Sequence, residues 1–121
     1  MAYAEDLKGR TQEFALRIIR LWRALPRTDD ARVIGRQLLR SGTSVGANYR
    51  AACRARSKPD FVSKMGIVLE EADETAYWLE LVVKADLLPE KRVKELLREA
   101  NELVSISVAS LRTAKATRSA S

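Results

Sequence analysis

The sequence predicts an all-α fold, an antiparallel up-down-up-down four-helix bundle spanning residues 1–121. Three observations predict it. Four stretches place apolar residues at alternating steps of three and four, the spacing of one buried helical face. Breaks at Pro26, Ser57–Pro59 and Pro89 leave links so short that successive helices must run antiparallel. A chain of 121 residues, 46% hydrophobic and 31% charged with only 5 Gly and 3 Pro, suits one domain with a single core.

The first helix is predicted over residues 6–25. Leu7, Phe14, Ile18, Leu21 and Leu25 form its apolar face, widened by Ala15 and Trp22, and Pro26 stops it. Arg20, Arg23 and Arg27 lie opposite that face, with Arg17 at its flank. The bland reading is a solvated surface; the functional one is a surface for an anion.

The second helix is predicted over 29–56, opened by Thr28 or Asp29 as N-cap. Ile34, Leu38, Val45, Tyr49 and Ala52 face inward. Arg32, Arg36, Arg40, Arg50 and Arg54 all fall on the other side, with Thr43 and Ala47 between the two arginine groups. Like charges four apart repel by a few tenths of a kcal/mol, so such a stripe calls for an anionic neighbour. Gly42 and Gly46, at the edge of the inner face, read as a close-packing groove rather than a phosphate loop. Asn48 is placed to bond a neighbouring helix or carbonyl.

Ser57-Lys58-Pro59-Asp60 is a break and restart with capping-box-like spacing. The third helix is predicted over 60–85, with Phe61, Met65, Val68, Ala72, Thr75, Leu79 and Val82 as its seam. Its opposite side carries Ile67, Trp78 and Leu81 beside Glu70, Glu71 and Glu74. A second apolar patch on a bundle helix points to another subunit, and Ile67, Glu70, Glu74, Trp78 and Leu81 are the expected oligomer interface. The alternative is that Trp78 only caps the bundle edge. The fourth helix is predicted over 89–113, centred on Val93, Leu97, Ala100, Val104, Ser107 and Leu111 and broadened by Leu96 and Leu103. A disordered tail is expected over 114–121.

The net charge is +6, unevenly spread: residues 1–58 carry +8, residues 59–88 carry −5 and residues 89–121 carry +3. An anionic partner is the first expectation. Arg17, Arg20, Arg36, Arg40, Arg50 and Arg54 are the candidate nucleic-acid contacts. Histidine is absent, which removes the commonest general base and metal ligand. The lone Cys53 lacks a His partner, and no phosphate loop or zinc spacing occurs. Glu70, Glu71 and Glu74 have no second acidic helix to complete a metal shell, and ion pairing with arginines is the simpler reading. No catalytic site, cofactor or metal is expected. Without an apolar signal core in residues 1–10 or a run near the ~20 residues of a membrane span, a cytoplasmic location is expected.

The run Gln37-Leu38-Leu39-Arg40-Ser41-Gly42-Thr43-Ser44-Val45-Gly46-Ala47-Asn48 resembles the signature of the four helix bundle family also called 23S ribosomal RNA intervening-sequence proteins. Asp60-Phe61 and Glu71-Ala72-Asp73-Glu74-Thr75-Ala76-Tyr77-Trp78-Leu79-Glu80-Leu81 continue the match. Order and spacing fit nearly the whole chain, with the specific motif confined to residues 37–83. The resemblance implies a small helical subunit in a homopentamer. A related member, the accessory variability protein of diversity-generating retroelements, implies association with a reverse transcriptase and nucleic acid. Many members carry Ala-Glu-Gly after the Asn; here Tyr49-Arg50-Ala51 makes the region more basic. Residues and resemblance lead to one expectation: a non-enzymatic oligomer whose basic surface binds nucleic acid, RNA before DNA, through phosphates. The rival is an assembly or adaptor protein without nucleic-acid binding, whose arginines pair with the acidic third helix of a neighbour.

Overall fold

A computed structural model describes the backbone over residues 2–120 and the side chains over residues 6–116. The described chain is four α-helices: α1 (Ala2–Ala24), α2 (Asp29–Cys53), α3 (Lys58–Lys84) and α4 (Glu90–Ala120). They pack as an antiparallel bundle. Seams α1–α2, α2–α3 and α3–α4 are extensive, whereas α1 touches α4 lightly.

The helix ends follow local chemistry. Thr28 caps α2, its hydroxyl accepting from the Ala31 amide. Ser57 caps α3 by accepting from the Asp60 amide at 3.2 Å, and Pro59 fits the first turn, where its missing N–H costs nothing. The Asp60 carboxylate accepts in return from the Arg56 amide at 3.1 Å, one residue before the cap. α2 ends at Cys53 rather than at 56: Arg54 and Ala55 donate to the carbonyls three residues back, which tightens the turn and stops the helix. At the end of α3, Asp86 adopts φ 57°, and Leu87 and Asp86 donate to Val82 and Val83 in a Schellman turn. α4 continues to Ala120, past the expected stop at 113. Ala, Lys and Arg there are good helix formers, and no Gly or Pro interrupts them. Ser121 of the expected tail lies outside the described residues.

The core is built from Phe14 and Ile18 of α1, Leu38 and Val45 of α2, Met65, Leu79 and Val82 of α3, and Val93 and Leu103 of α4, all essentially without solvent contact. In α4 the stripe is centred differently from the expectation. Leu96 and Leu103 are buried, while Leu97 and Val104 are half-buried at its edge, where Leu97 borders Val83 and Lys84 of α3.

Close approach of α1 to α2 depends on glycine. A Cβ on Gly42 would lie 2.7 Å from Ile18 Cγ1, and one on Gly46 would lie 3.3 Å from the Thr11 carbonyl oxygen. The small-residue stretch is therefore a helix-packing groove, as its composition indicated. The α2–α3 seam holds a buried polar pair in which the Ser41 and Thr75 hydroxyls share a hydrogen bond of 3.0 Å. Each also reaches a carbonyl of its own helix, so neither is left unsatisfied. Asn48 donates to the Ser44 carbonyl of its own helix and not to a neighbouring one.

Candidate nucleic-acid interface

The six candidate arginines share one helical-wheel logic but reach different places. Arg50, exposed on the last turn of α2, and Arg54, exposed just past its end, border a groove of about 550 Å³ between α1 and α2. Lys8, Gln12 and Ala15 form its α1 wall; Thr43, Gly46 and Ala47 form its floor on α2. The floor is low because Gly46 lets α1 approach. Arg36 is exposed further along α2. Among the described residues, Arg36, Arg50 and Arg54 have no ion-pair partner.

Arg40 is different. It reaches across the α2–α3 seam to Glu71, at 3.2 Å, and to Glu74. It therefore uses its charge within the chain. Glu74 also accepts from the Trp78 indole N–H at 3.0 Å. That bond first, and Arg40 second, hold the Glu74 carboxyl below its ordinary pKa, while Glu74 chiefly raises that of Arg40. The register explains the meeting: Ser41 faces Thr75, so the residue before Ser41 meets carboxylates one turn and one residue before Thr75.

Arg17 and Arg20 lie on the other flank of α1, in a groove against α4 lined also by Leu21, Arg92, Glu95 and Leu96. Arg17 is half-buried; Arg20 is exposed and donates to Glu13 at 3.4 Å. Glu95 has Arg98 beside it at 3.7 Å. Below this groove Arg10 makes a two-pronged contact with Glu99, at 2.6 and 2.8 Å, and approaches Glu102 at 3.4 Å. These contacts raise the Arg10 pKa further and fasten α1 to α4.

Four of the six arginines thus form two cationic tracks, one on each side of α1, Arg40 is an internal tie, and Arg36 stands apart on α2. Reading the arginines alone misses Lys8, Gln12 and Thr43, which complete the first track, and Arg92, which joins the second. The signal was available for two of them, since Lys8 and Gln12 stand four apart on the flank of α1 next to Ala15. Arg92 required knowledge of which face of α4 meets α1.

The expected oligomer face is partly open. Ile67 is 38% exposed, Glu70 is exposed and Leu81 is half-buried. Trp78 packs half-buried against the core and contacts Tyr77 edge-on, with ring centres 5.0 Å apart. The more open aromatic is Tyr77, at 53%. Cys53 is half-buried and free. Among the described residues, no group of three Cys, Asp or Glu side chains is placed to hold a metal ion, and no helix is long and apolar enough to cross a membrane.

Comparison with known proteins agrees with the four-helix fold. The chain is similar to a crystallised protein of unknown function from the S23 ribosomal protein family of Bacteroides thetaiotaomicron VPI-5482. The two share 36% identity and a TM-score of 0.80, over 86% of this chain and 96% of the other. No curated protein matches. The family model for the 23S rRNA-intervening sequence protein matches residues 6–109. With the motif of α2 and α3, the four-helix architecture and this match over most of its length, the chain belongs to the 23S rRNA-intervening sequence protein family.

Proposed function

We propose that this protein is a non-catalytic, oligomeric RNA-binding subunit that holds phosphates along the basic side of α1 and α2. The observation that carries the reading is the placement of Arg36, Arg50 and Arg54. All three are exposed and have no carboxylate partner among the described residues, and Arg50 and Arg54 stand beside a groove edged by Lys8 and Gln12. Three cations kept free on one face are easiest to explain by an anion from outside. Phosphate contacts of this kind give affinity with little sequence preference. Repetition around an oligomer, with Ile67, Tyr77 and Leu81 at the subunit contact, would multiply weak contacts by avidity.

The rival reading needs arginines to pair with the acidic third helix of a neighbour. Arg40 already takes Glu71 and Glu74 of its own chain. That leaves Glu70, Asp73 and Glu80 as the acidic partners an adaptor would have to use. Salt-dependent binding of a fluorescent RNA, measured with light scattering on the same samples, separates the two. The Arg50→Glu/Arg54→Glu protein should bind many RNA sequences more weakly, with a flatter salt slope and unchanged mass. A wild type that binds no RNA, with a variant that falls apart, would favour the adaptor.

A further inference from the structure

We propose that the two cationic tracks flanking α1 take the two backbones of double-helical RNA, with α1 seated as a ridge between them. This rests on the RNA-binding reading and adds the form of the ligand. The first track is Arg50 and Arg54 with Lys8 and Gln12 on the α2 side of α1. The second is Arg17 and Arg20 with Arg92 on the α4 side, where the one carboxylate lining the groove, Glu95, has Arg98 beside it. A helix with its side chains is about 10–12 Å across, so α1 keeps the tracks apart. A single strand lying in one groove leaves the other empty. To occupy both it would have to climb over α1, where Leu16 is 42% exposed.

The ridge itself suits a duplex. Among the described side chains its outward positions are Gly9, Gln12, Leu16, Ile19 and Arg23, with no carboxylate among these. Glu13, on the α4 flank, is turned to Arg20. The minor groove of A-form RNA is wide and shallow and lined by sugars and 2′-hydroxyls, with a phosphate row on either side. A ridge without a carboxylate among its described outward side chains, between two cationic rows, is the complementary shape. Gln12 can donate to or accept from a 2′-hydroxyl, and Leu16 can rest on sugar carbons. Neither groove is lined by an aromatic side chain, so the stacking platform that holds single strands is not provided.

The test uses the full chain and three probes of one sequence and about 16 units, the span over which a protein contacts successive minor grooves: single-stranded RNA, duplex RNA and duplex DNA. Fluorescence anisotropy is read at several salt concentrations. Duplex RNA should bind tightest. Arg17→Glu/Arg20→Glu should lower duplex RNA affinity about tenfold and flatten its salt slope by about two, as two phosphate contacts are lost. It should leave single-strand affinity nearly unchanged. Arg17→Gln/Arg20→Gln, with circular dichroism, guards against a folding artefact and should act in the same direction. Equal affinity for single and double strands, equal loss of both in the variant, or tighter binding of duplex DNA would overturn the inference while leaving the RNA-binding reading intact. Failure of the wild type to bind either RNA at low salt would remove both.

Discussion

Replacing Gly42 with alanine should destabilise the bundle, whereas the same replacement at Gly66 should stabilise it. Within a helix alanine is favoured over glycine by about 0.8–1.0 kcal/mol. At Gly66 a Cβ meets nothing within 4 Å, so most of that gain should appear. At Gly42 the Cβ would lie 2.7 and 2.8 Å from Cγ1 and Cγ2 of Ile18. Carbon atoms rest at about 3.5–4.0 Å, so α1 and α2 must part by about 1 Å. Ile18 is fully buried and branched at Cβ, and both branches are in contact, so a change of rotamer gives no escape. Overpacking of this kind costs about 1–3 kcal/mol. Against the helix gain of about 0.8–1.0 kcal/mol, a net loss of up to about 2 kcal/mol is expected, or up to several degrees in Tm for a domain of this size. Denaturant unfolding at fixed protein concentration is the assay, since association would shift the midpoint. Ile18→Ala removes both clashing carbons. Alone it should cost about 2–5 kcal/mol, yet in its background Gly42→Ala should become stabilising. A Gly42→Ala protein as stable as wild type, or equal effects in the two backgrounds, would refute the close-packing argument.

Other outcomes follow from single contacts. Asp86 holds a left-handed conformation at the end of α3, which glycine adopts freely, so Asp86→Gly should stabilise by about 0.5–1 kcal/mol in the same assay. Arg10→Ala removes the fork to Glu99 and should cost about 1–2 kcal/mol, with faster amide exchange in α1 than in α2 or α3, since α1 has little else against α4. The Glu74 carboxyl is held low by Trp78 and Arg40. A lowered folded pKa contributes stability that is present above the unfolded value, about 4.3, and is lost as pH falls through the folded one. The contribution is thus complete at neutral pH and fades in acid; Glu74→Gln should lessen the fall in stability below about pH 4, with Trp fluorescence reporting the change.

How much of this was legible in the sequence depends on the kind of residue. The helices were, because apolar steps of three and four and the breaks at Pro26, Ser57–Pro59 and Pro89 are local signals. The packing role of Gly42 and Gly46 was too, since small residues beside an apolar stripe permit close approach. The end of α3 was not: Asp86 sits where glycine is usual, and its left-handed turn is set by the Val82–Leu87 bond. The centre of the α4 stripe was misplaced because Leu96 with Leu103 and Leu97 with Val104 each keep the seven-residue apolar spacing on neighbouring flanks of the helix, and only the bundle decides which pair faces inward. The arginines illustrate the same limit. A wheel reports the angle of a charge about its own helix, while its use depends on what the next helix brings to the same height.

Arg36 and Arg40 make that point one turn apart. Their wheel angles differ by about 40°. That rotation turns Arg40 toward α3 at the height where Glu71 and Glu74 stand, and leaves Arg36 facing solvent. The basic stripe of α2 is therefore two things, a structural tie and a free surface. Reversing charge at Arg40 would test the tie, because Arg40→Glu places a third carboxylate beside Glu71 and Glu74 and removes their cation. Weaker RNA binding in that variant would report a disturbed α2–α3 seam as readily as a lost phosphate contact. At Arg50 and Arg54 no carboxylate partner exists to be disturbed among the described residues. A loss of binding there, with mass and helicity unchanged, has only the surface to act through. The functional question turns on those two residues, although all the arginines of α2 read alike in the sequence.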